Sequence, residues 1–347
     1  MAELIRANLL SPIVLAFALG VVAKLIRSEF TLPKDLYVAL SIYLLFAIGL
    51  KGGVELSQTP LSAFVLPAVV TLAVGVLTPV LSYVALRQLG RFSVADSAGI
   101  AAHYGSVSAV TFIAAQEFVA SAGTPAEGFM PTLLTLLEAP GIHVALAIGV
   151  VQASRGRLAA AQLGTGASLP AGSDARPRVS HAEHAHWRET LRAVLTGRTM
   201  VLLVGGLIIG ALIGERGWEP VRPFFEGGFR GVLTLFLLEM GLLAAERLGD
   251  LKRVGVFLLG FGTVMPLVNG AIGVALGHWA GLSPGGAAVL GTMAASASYI
   301  AAPPAVRLAL PEANPTYYLT LALGVTFPFN LILGIPAYHQ MALWLAR

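Results

Sequence analysis

Residues Ala294–Pro304 read AASASYIAAPP, which puts Ser296, Ser298 and Tyr299 and two adjacent prolines inside an otherwise apolar run. Pro303 and Pro304 carry no N–H, and each ring crowds the carbonyl four residues earlier. The expectation is a helix broken near Tyr299 and Ile300, with backbone carbonyls freed there. At membrane depth such groups are tolerated only if they are buried in protein or line a wet cavity.

The rest of the chain is the setting for such a break. Of 347 residues, 56% are hydrophobic and only 12% charged, and the mean hydropathy is +0.80. Soluble domains are about 25% charged. Ten apolar segments recur from end to end: Leu9–Ile26, Leu36–Leu56, Ala63–Leu86, Ala95–Ala120, Pro131–Val151, Met200–Gly217, Gly231–Ala245, Val254–Trp279, Gly285–Ala305 and Thr316–Trp344. Most are long enough to cross a bilayer as helices. The last is expected to tilt, or to end in an interfacial turn at Pro336. The short alternating segments of a β-barrel are absent. The chain reads as an all-α polytopic membrane protein.

With no cysteine, disulfides, thiolate metal sites and cysteine nucleophiles are excluded. The first apolar run is too long for a signal peptide and has no clean cleavage site, so it reads as a span. The formal charge of +4 does not suggest nucleic acid, because the bases lie between spans. Most of the 22 Lys and Arg residues fall on one side of a ten-span layout, together with the central loop. The positive-inside rule then predicts a cytoplasmic central loop and both termini outside.

That loop, Ala153–Gly197, is rich in Gly, Ala, Ser and Pro and reads as a flexible linker. It is expected to close with a short amphipathic helix from Ser180 to Leu195, capped by Ser180. GTGAS lacks the Gly-Lys-Ser/Thr of a phosphate loop. His181, His184 and His186 have no fixed geometry for a transition metal.

The loop divides the spans five and five. With an odd number per half, a second copy enters the membrane from the opposite side, the inverted-repeat plan of many secondary transporters. LLFAIGLKGGVEL (Leu44–Leu56) echoes LFLLEMGLLAAERL (Leu235–Leu248), with Gly49 and Gly241 equivalent at a separation of 192 residues. The same offset carries Gly105 onto Ala297 and Ser106 onto Ser298. Both halves thus interrupt their fourth span with small polar residues, AAHYGSVSAVTF in the first and AASASYIAAPP in the second. Small residues alone also mark close helix packing. The matched positions favour a site. Half-helix N-termini suit an anion, and freed carbonyls and hydroxyls suit Na+.

At these residues the sequence resembles the SbtA-type sodium-dependent bicarbonate transporter family, over nearly the whole chain. IGLKGGVEL is similar to the family's Ile-Gly-Leu-Thr-Gly-Gly, and YGSVSAVTF to its Phe-Gly-Ala-Val-Ser-Gly-Ser-Thr. RLGDLKRV belongs to the likeness, as does PPAVRLALPEANPTYY, a long and unusual closing motif. The resemblance implies ten transmembrane helices in a 5+5 inverted repeat, with broken fourth and ninth helices crossing mid-membrane. It implies a gate domain of residues 1–58 and 198–250, a core domain of residues 59–153 and 251–347, and a cytoplasmic linker loop at 154–197. It further implies a homotrimer in a bacterial inner membrane, an elevator motion of core against gate, and inhibition by a P-II-type cytoplasmic regulator.

By the same resemblance, Gly105, Ser106, Val107, Ser108, Ser296, Ala297 and Ser298 form the anion site. Thr111, Tyr299 and Glu138 form the cation set. Two departures stand out. The family's Ser-Ser-Ser-Asp is Ser296-Ala297-Ser298-Tyr299 here, and its Ser-Gly-Ser-Thr is Ser108-Ala109-Val110-Thr111. Glu138, inside the fifth span, stands where the family has an aspartate, and an ionisable group within a span is a functional candidate.

His103, beside the fourth-span break, is a possible coupling residue for protons. Glu239 is expected in a structural ion pair or at an interface. Gln116 and Asn330 are expected to hydrogen-bond between helices. The leading expectation is Na+-coupled bicarbonate uptake, with Na+ as coupling ion and no transition-metal site. The alternative is a proton-coupled or uncoupled carrier of another small anion. A ligand sensor or scaffold is a further class. For an intramembrane enzyme the chain has neither HExxH nor an acidic pair within its spans.

Overall fold

A computed structural model describes residues 6, 8–164, 192 and 194–347, the stretch 154–164 by its backbone only. The central-loop histidines and the start of the expected amphipathic helix at Ser180 lie outside the described residues. Among those described, the chain is helical and has no strand. The helices are α1 (Pro12–Leu25), α2 (Lys34–Gln58), α3 (Leu61–Gln88), α4 (Val94–Tyr104), α5 (Ala109–Ser121) and α6 (Met130–Gly164) in the first half. The second half has α7 (Arg198–Trp218), α8 (Phe229–Leu248), α9 (Val256–Trp279), α10 (Pro284–Ala295), α11 (Ala302–Ala309) and α12 (Pro315–Leu345). Counting α4 and α5 as one unit, seven are long and apolar enough to cross a membrane. Large aliphatic side chains on α3, α7 and α9 face outward, a surface suited to lipid rather than water. The protein is a multi-pass membrane protein.

Each of the ten apolar segments falls on helix. Three differ from expectation in detail. The helix of the fifth segment runs on to Gly164 rather than yielding to a linker at Ala153, through the helix-favouring run Ala159–Ala161. The ninth segment breaks over Ser296–Ala301, and its prolines do not kink a running helix. Pro303 and Pro304 instead occupy the first turn of α11. There a missing N–H costs nothing and the fixed φ suits the helix.

The third difference is at Pro336, where no turn forms. α12 passes through both Pro328 and Pro336, and each follows a π-helical stretch, Thr320–Thr326 and Asn330–Gly334. The wider turn removes the clash between each ring and the carbonyl one turn earlier.

Packing sets two groups of helices side by side. In one, α2 lies along α7 and α1 along α8. In the other, α3, α4 and α6 pack together, and α10 packs against α9, α12 and α5. The two broken spans run antiparallel. The end of α5 meets the start of α10, where the Glu127 carboxylate accepts from the Ser283 N–H at 2.6 Å. The start of α4 meets the start of α12, where Asp96 accepts from the Asn314 N–H at 2.8 Å. Both spans begin on a serine cap, Ser93 for α4 and Ser283 for α10.

Candidate functional site

The two breaks cross and pin each other. The Ser108 N–H donates to the Ser296 hydroxyl at 2.9 Å, and that hydroxyl gives its own proton to the Met293 carbonyl at 2.8 Å. In return, the Ser298 N–H donates to the His103 carbonyl at 2.8 Å. The Ser108 side chain also caps α5, accepting from the Thr111 N–H at 3.3 Å. The last carbonyl of α10, on Ala295, accepts from the Asn330 amide at 2.8 Å, and the Tyr338 hydroxyl donates to the Asn330 carbonyl oxygen at 3.0 Å. Asn330 thus joins α12 to α10, as expected of it.

The geometry turns two helix N-termini, those of α5 and α11, towards the crossing. The first N–H groups of a helix have no partner within it, and the helix dipole makes that end positive; α5 brings those groups to the crossing, whereas Pro303 and Pro304 remove two of them from α11. Behind the crossing α6 comes as close as backbone permits. A Cβ on Gly141 would lie 1.7 Å from the Gly105 carbonyl oxygen, so only glycine fits there.

In front of the crossing is a cavity of about 20 Å³. Ser108, Ser298, Tyr299 and Glu138 line it from one side, and Ser41, Thr199, Leu44, Leu45 and Phe236 from α2, α7 and α8 on the other. A vestibule of about 240 Å³ adjoins it and shares Ser41, Glu138, Thr199 and Ile300. Arg198 and Pro304 place that vestibule at the end of the molecule that carries the central loop. A second vestibule, of about 570 Å³, lies at the opposite end among Lys51, Glu117, Glu226 and Arg230. Ile113 borders both it and the cavity.

The sequence of the chain matches the profile of the Na+-dependent bicarbonate transporter superfamily over residues 12–343. The chain belongs to this superfamily. A search of curated proteins finds no match.

Within this member of the bicarbonate transporter superfamily, the cavity brings together Val107, Ser108, Ser298, Tyr299 and Glu138. Gly105 is packed between Pro79 and Gly141, and the Ser106 hydroxyl is buried with no partner. Ser296 is committed to the Ser108 N–H, and Ala297 is buried in the wall. Thr111 stands one turn into α5 and does not line the cavity. Tyr299 comes up against Ser108, and its ring meets Phe327 edge-on at 5.8 Å. One oxygen of Glu138 is buried without a hydrogen-bond partner.

His103 is fully buried, its Nδ1–H donating to the Gly99 carbonyl at 2.7 Å and its ring stacked on Tyr318 at 4.3 Å. It lies outside the cavity lining. Of the two roles expected of Glu239, an ion pair or an interfacial position, the ion pair is not found among the described residues. Glu239 is buried in α8, and Lys24, the cation on the neighbouring helix, binds Glu246 at 2.6 Å. Gln116 lines the second vestibule. Ser41 and Thr199 were not foreseen. Each is a lone hydroxyl near the start of a span, and only the packing of α2 and α7 against the crossing brings them to the site.

Among the described residues no group of three or more His, Asp or Glu is placed to hold a metal ion. The oxygen set at the cavity suits a hard monovalent ion such as Na+, and the orphaned Glu138 oxygen is a fitting ligand for one.

Proposed function

We propose that the protein is a Na+-coupled bicarbonate importer working by an elevator motion. The observation that carries this reading is the mutual hydrogen bonding of the two helix breaks beside a buried carboxylate, at a cavity between two groups of helices. Residues 1–58 and 198–250 are the gate, and 59–153 and 251–347 the core. The ten apolar segments cross the membrane ten times, with both termini outside and the central loop in the cytoplasm of a bacterial cell. A homotrimer follows from the family resemblance.

Matching glycine contacts support the inverted repeat. A Cβ on Gly49 of α2 would come within 3.0 Å of Gly206 Cα on α7, and one on Gly241 of α8 within 3.0 Å of Gly20 Cα on α1. The second and seventh segments, equivalent in the repeat, thus make equivalent contacts with the sixth and first.

The anion binds where α5 presents open N–H groups, with Ser108 and Ser298 supplying hydroxyls and Val107 backbone, while Gly105, Ser106, Ser296 and Ala297 build the crossing around it. Na+ binds beside it, with Glu138 and Tyr299 as its ligands at the cavity and Thr111 one turn away along α5. Ser41 and Thr199 face the crossing across the cavity, so a displacement of core against gate would widen it. The 240 Å³ vestibule leads to the site from the cytoplasmic end.

The test is uptake of radiolabelled bicarbonate into proteoliposomes at fixed pH. An inward Na+ gradient should stimulate it, and Ser108→Ala with Ser298→Ala should abolish the stimulation. Reconstituted wild type that takes up no bicarbonate under any Na+ gradient would sink the reading.

A further inference from the structure

We infer that Asn8 is a positioning residue of the transport cycle: its side-chain amide latches the core to the gate and holds the crossing open to the vestibule at the central-loop end. The inference rests on the elevator reading of the two helix groups and goes beyond it.

Pro336 creates the need for a latch. An N–H at that position of α12 would bond the Ile332 carbonyl in an α-helix, or the Leu331 carbonyl in a π-helix. Proline has none, and the π-helical stretch Asn330–Gly334 ends just before it. Both carbonyls are met from outside the helix instead. The Asn8 Nδ2 donates to Leu331 at 2.9 Å and to Ile332 at 3.2 Å. Asn8 is 7% exposed and Leu331 2%, so little water reaches these bonds. No other side chain among the described residues donates to either carbonyl.

Asn8 is carried by the gate. The Ser11 N–H donates to its carbonyl at 3.0 Å, and Ser11 caps α1. α1 lies against α8, where a Cβ on Gly20 would come 2.0 Å from the Leu238 carbonyl oxygen. α12 belongs to the core, so the Asn8 bonds span the seam between the two. The Arg230–Glu117 pair spans it too, and both ties border one cleft of about 270 Å³. Around that cleft core and gate meet through these polar ties, and a joint of that kind can part.

The two vestibules show which position the latch holds. Among the described residues, the cavity at the crossing shares Ser41, Glu138, Ile300 and Ala301 with the vestibule at the central-loop end, but only Ile113 with the opposite one. Glu117 and Arg230 line both the cleft and that opposite vestibule, so the latch sits at the closed end. Moving the core towards that end strips both carbonyls of their donor, and an unmet buried acceptor is costly. Asn8 thus weights the resting equilibrium towards the central-loop side.

The experiment places a reporter thiol in the cysteine-free full-length protein and measures its rate of reaction with a sulfonated maleimide in lipid nanodiscs. Ile113→Cys reports on the closed end and Ala301→Cys on the open one. Adding Asn8→Ala should speed the first at least about fivefold and slow the second. Pro336→Ala restores an N–H to α12. It should shift both rates in the same directions and leave Asn8→Ala little further to change. Na+-driven bicarbonate uptake by wild type is measured in parallel.

Opposed changes in the two rates support the latch. Rates that rise together show that Asn8 only holds the fold together, and that or any other pattern overturns the inference. Should Asn8→Ala fail to fold, Pro336→Ala decides alone by the same criterion. If the latch fails while wild type takes up bicarbonate, the transport reading stands and only this inference falls. Opposed rate changes in a protein that takes up no bicarbonate would keep the moving core and sink the substrate.

Discussion

Ser108 and Ser296 stand 188 positions apart, yet the N–H of one donates to the hydroxyl of the other at 2.9 Å, at the point where two interrupted helices cross. The bond answers what the hydroxyls of AASASYIAAPP are for. Ser296 holds the other half of the molecule, whereas Ser298 faces the cavity.

That division of labour separates two substitutions. Ser296→Ala leaves the Ser108 N–H buried without an acceptor, which costs about 1–3 kcal/mol. It should lower both the unfolding temperature and Na+-driven bicarbonate uptake. Ser298→Ala removes a cavity hydroxyl but keeps the backbone N–H bonded to His103. It should lower uptake and leave the unfolding temperature within a degree or so of wild type. Equal loss of stability in both would refute the distinction.

Close approach at Gly141 gives the second prediction. A Cβ there would meet the carbonyl oxygen, carbonyl carbon and Cα of Gly105 at 1.7, 2.2 and 2.7 Å, all backbone. Gly141→Ala must therefore push α6 off the fourth-span break, and purified protein should be scarce and without uptake. Gly205→Ala on α7 meets nothing within 4 Å. It should be neutral, or stabilising by about 0.5–1 kcal/mol through helix propensity. Size-exclusion yield and uptake read both.

Acid should loosen the end of the molecule opposite the central loop. Burial pushes the Glu226 carboxyl up, but hydrogen bonds and charge from Lys51 and Arg222, both at 2.7 Å, outweigh it and hold the group below its ordinary 4.5. A depressed carboxyl contributes stability that is present above its unfolded value and lost as pH falls through the folded one. Unfolding temperature should therefore fall as pH drops below about 4.5, and Glu226→Gln should flatten the curve in that window. An identical acid limb in the variant would mean the contact is idle.

Much of this was legible in the sequence for physical reasons. Span length and apolarity are one-dimensional properties, so the ten segments fell on helix. A break needs Gly, Ser or Pro, so Gly105–Ser108 and Ser296–Ala301 announced themselves. Asn330 could be read because a lone amide in an apolar span must find a partner.

What stayed hidden depends on three-dimensional packing. Pro303 and Pro304 look the same in sequence whether they kink a helix or start one. Pro336 left a tilt and a turn both open, because the π-helical stretch that accommodates its ring has no residue signature. Glu239 could be read as paired or interfacial, and only packing shows that Lys24 binds Glu246 instead. Ser41 and Thr199 acquire meaning only when α2 and α7 are seen against the crossing.

The elevator motion itself can be tested on an ion pair. Arg230 at the start of α8 binds Glu117 near the end of α5, and Glu117 is the more buried partner. In the proposed division α5 travels with the core and α8 stays with the gate, so this pair must separate in every cycle. Lys24 of α1 and Glu246 of α8 form a comparable bridge, but both belong to the gate and should never part. The chain has no cysteine of its own, so introduced thiols can be joined without background. Glu117→Cys with Arg230→Cys, linked by a short bifunctional thiosulfonate, should stop Na+-driven uptake, and reductant should restore it. Lys24→Cys with Glu246→Cys, linked in the same way, should leave uptake unchanged. Full transport by the linked Glu117/Arg230 pair would show that α5 and α8 keep their relation throughout, and the core would then have to move by some path other than an elevator.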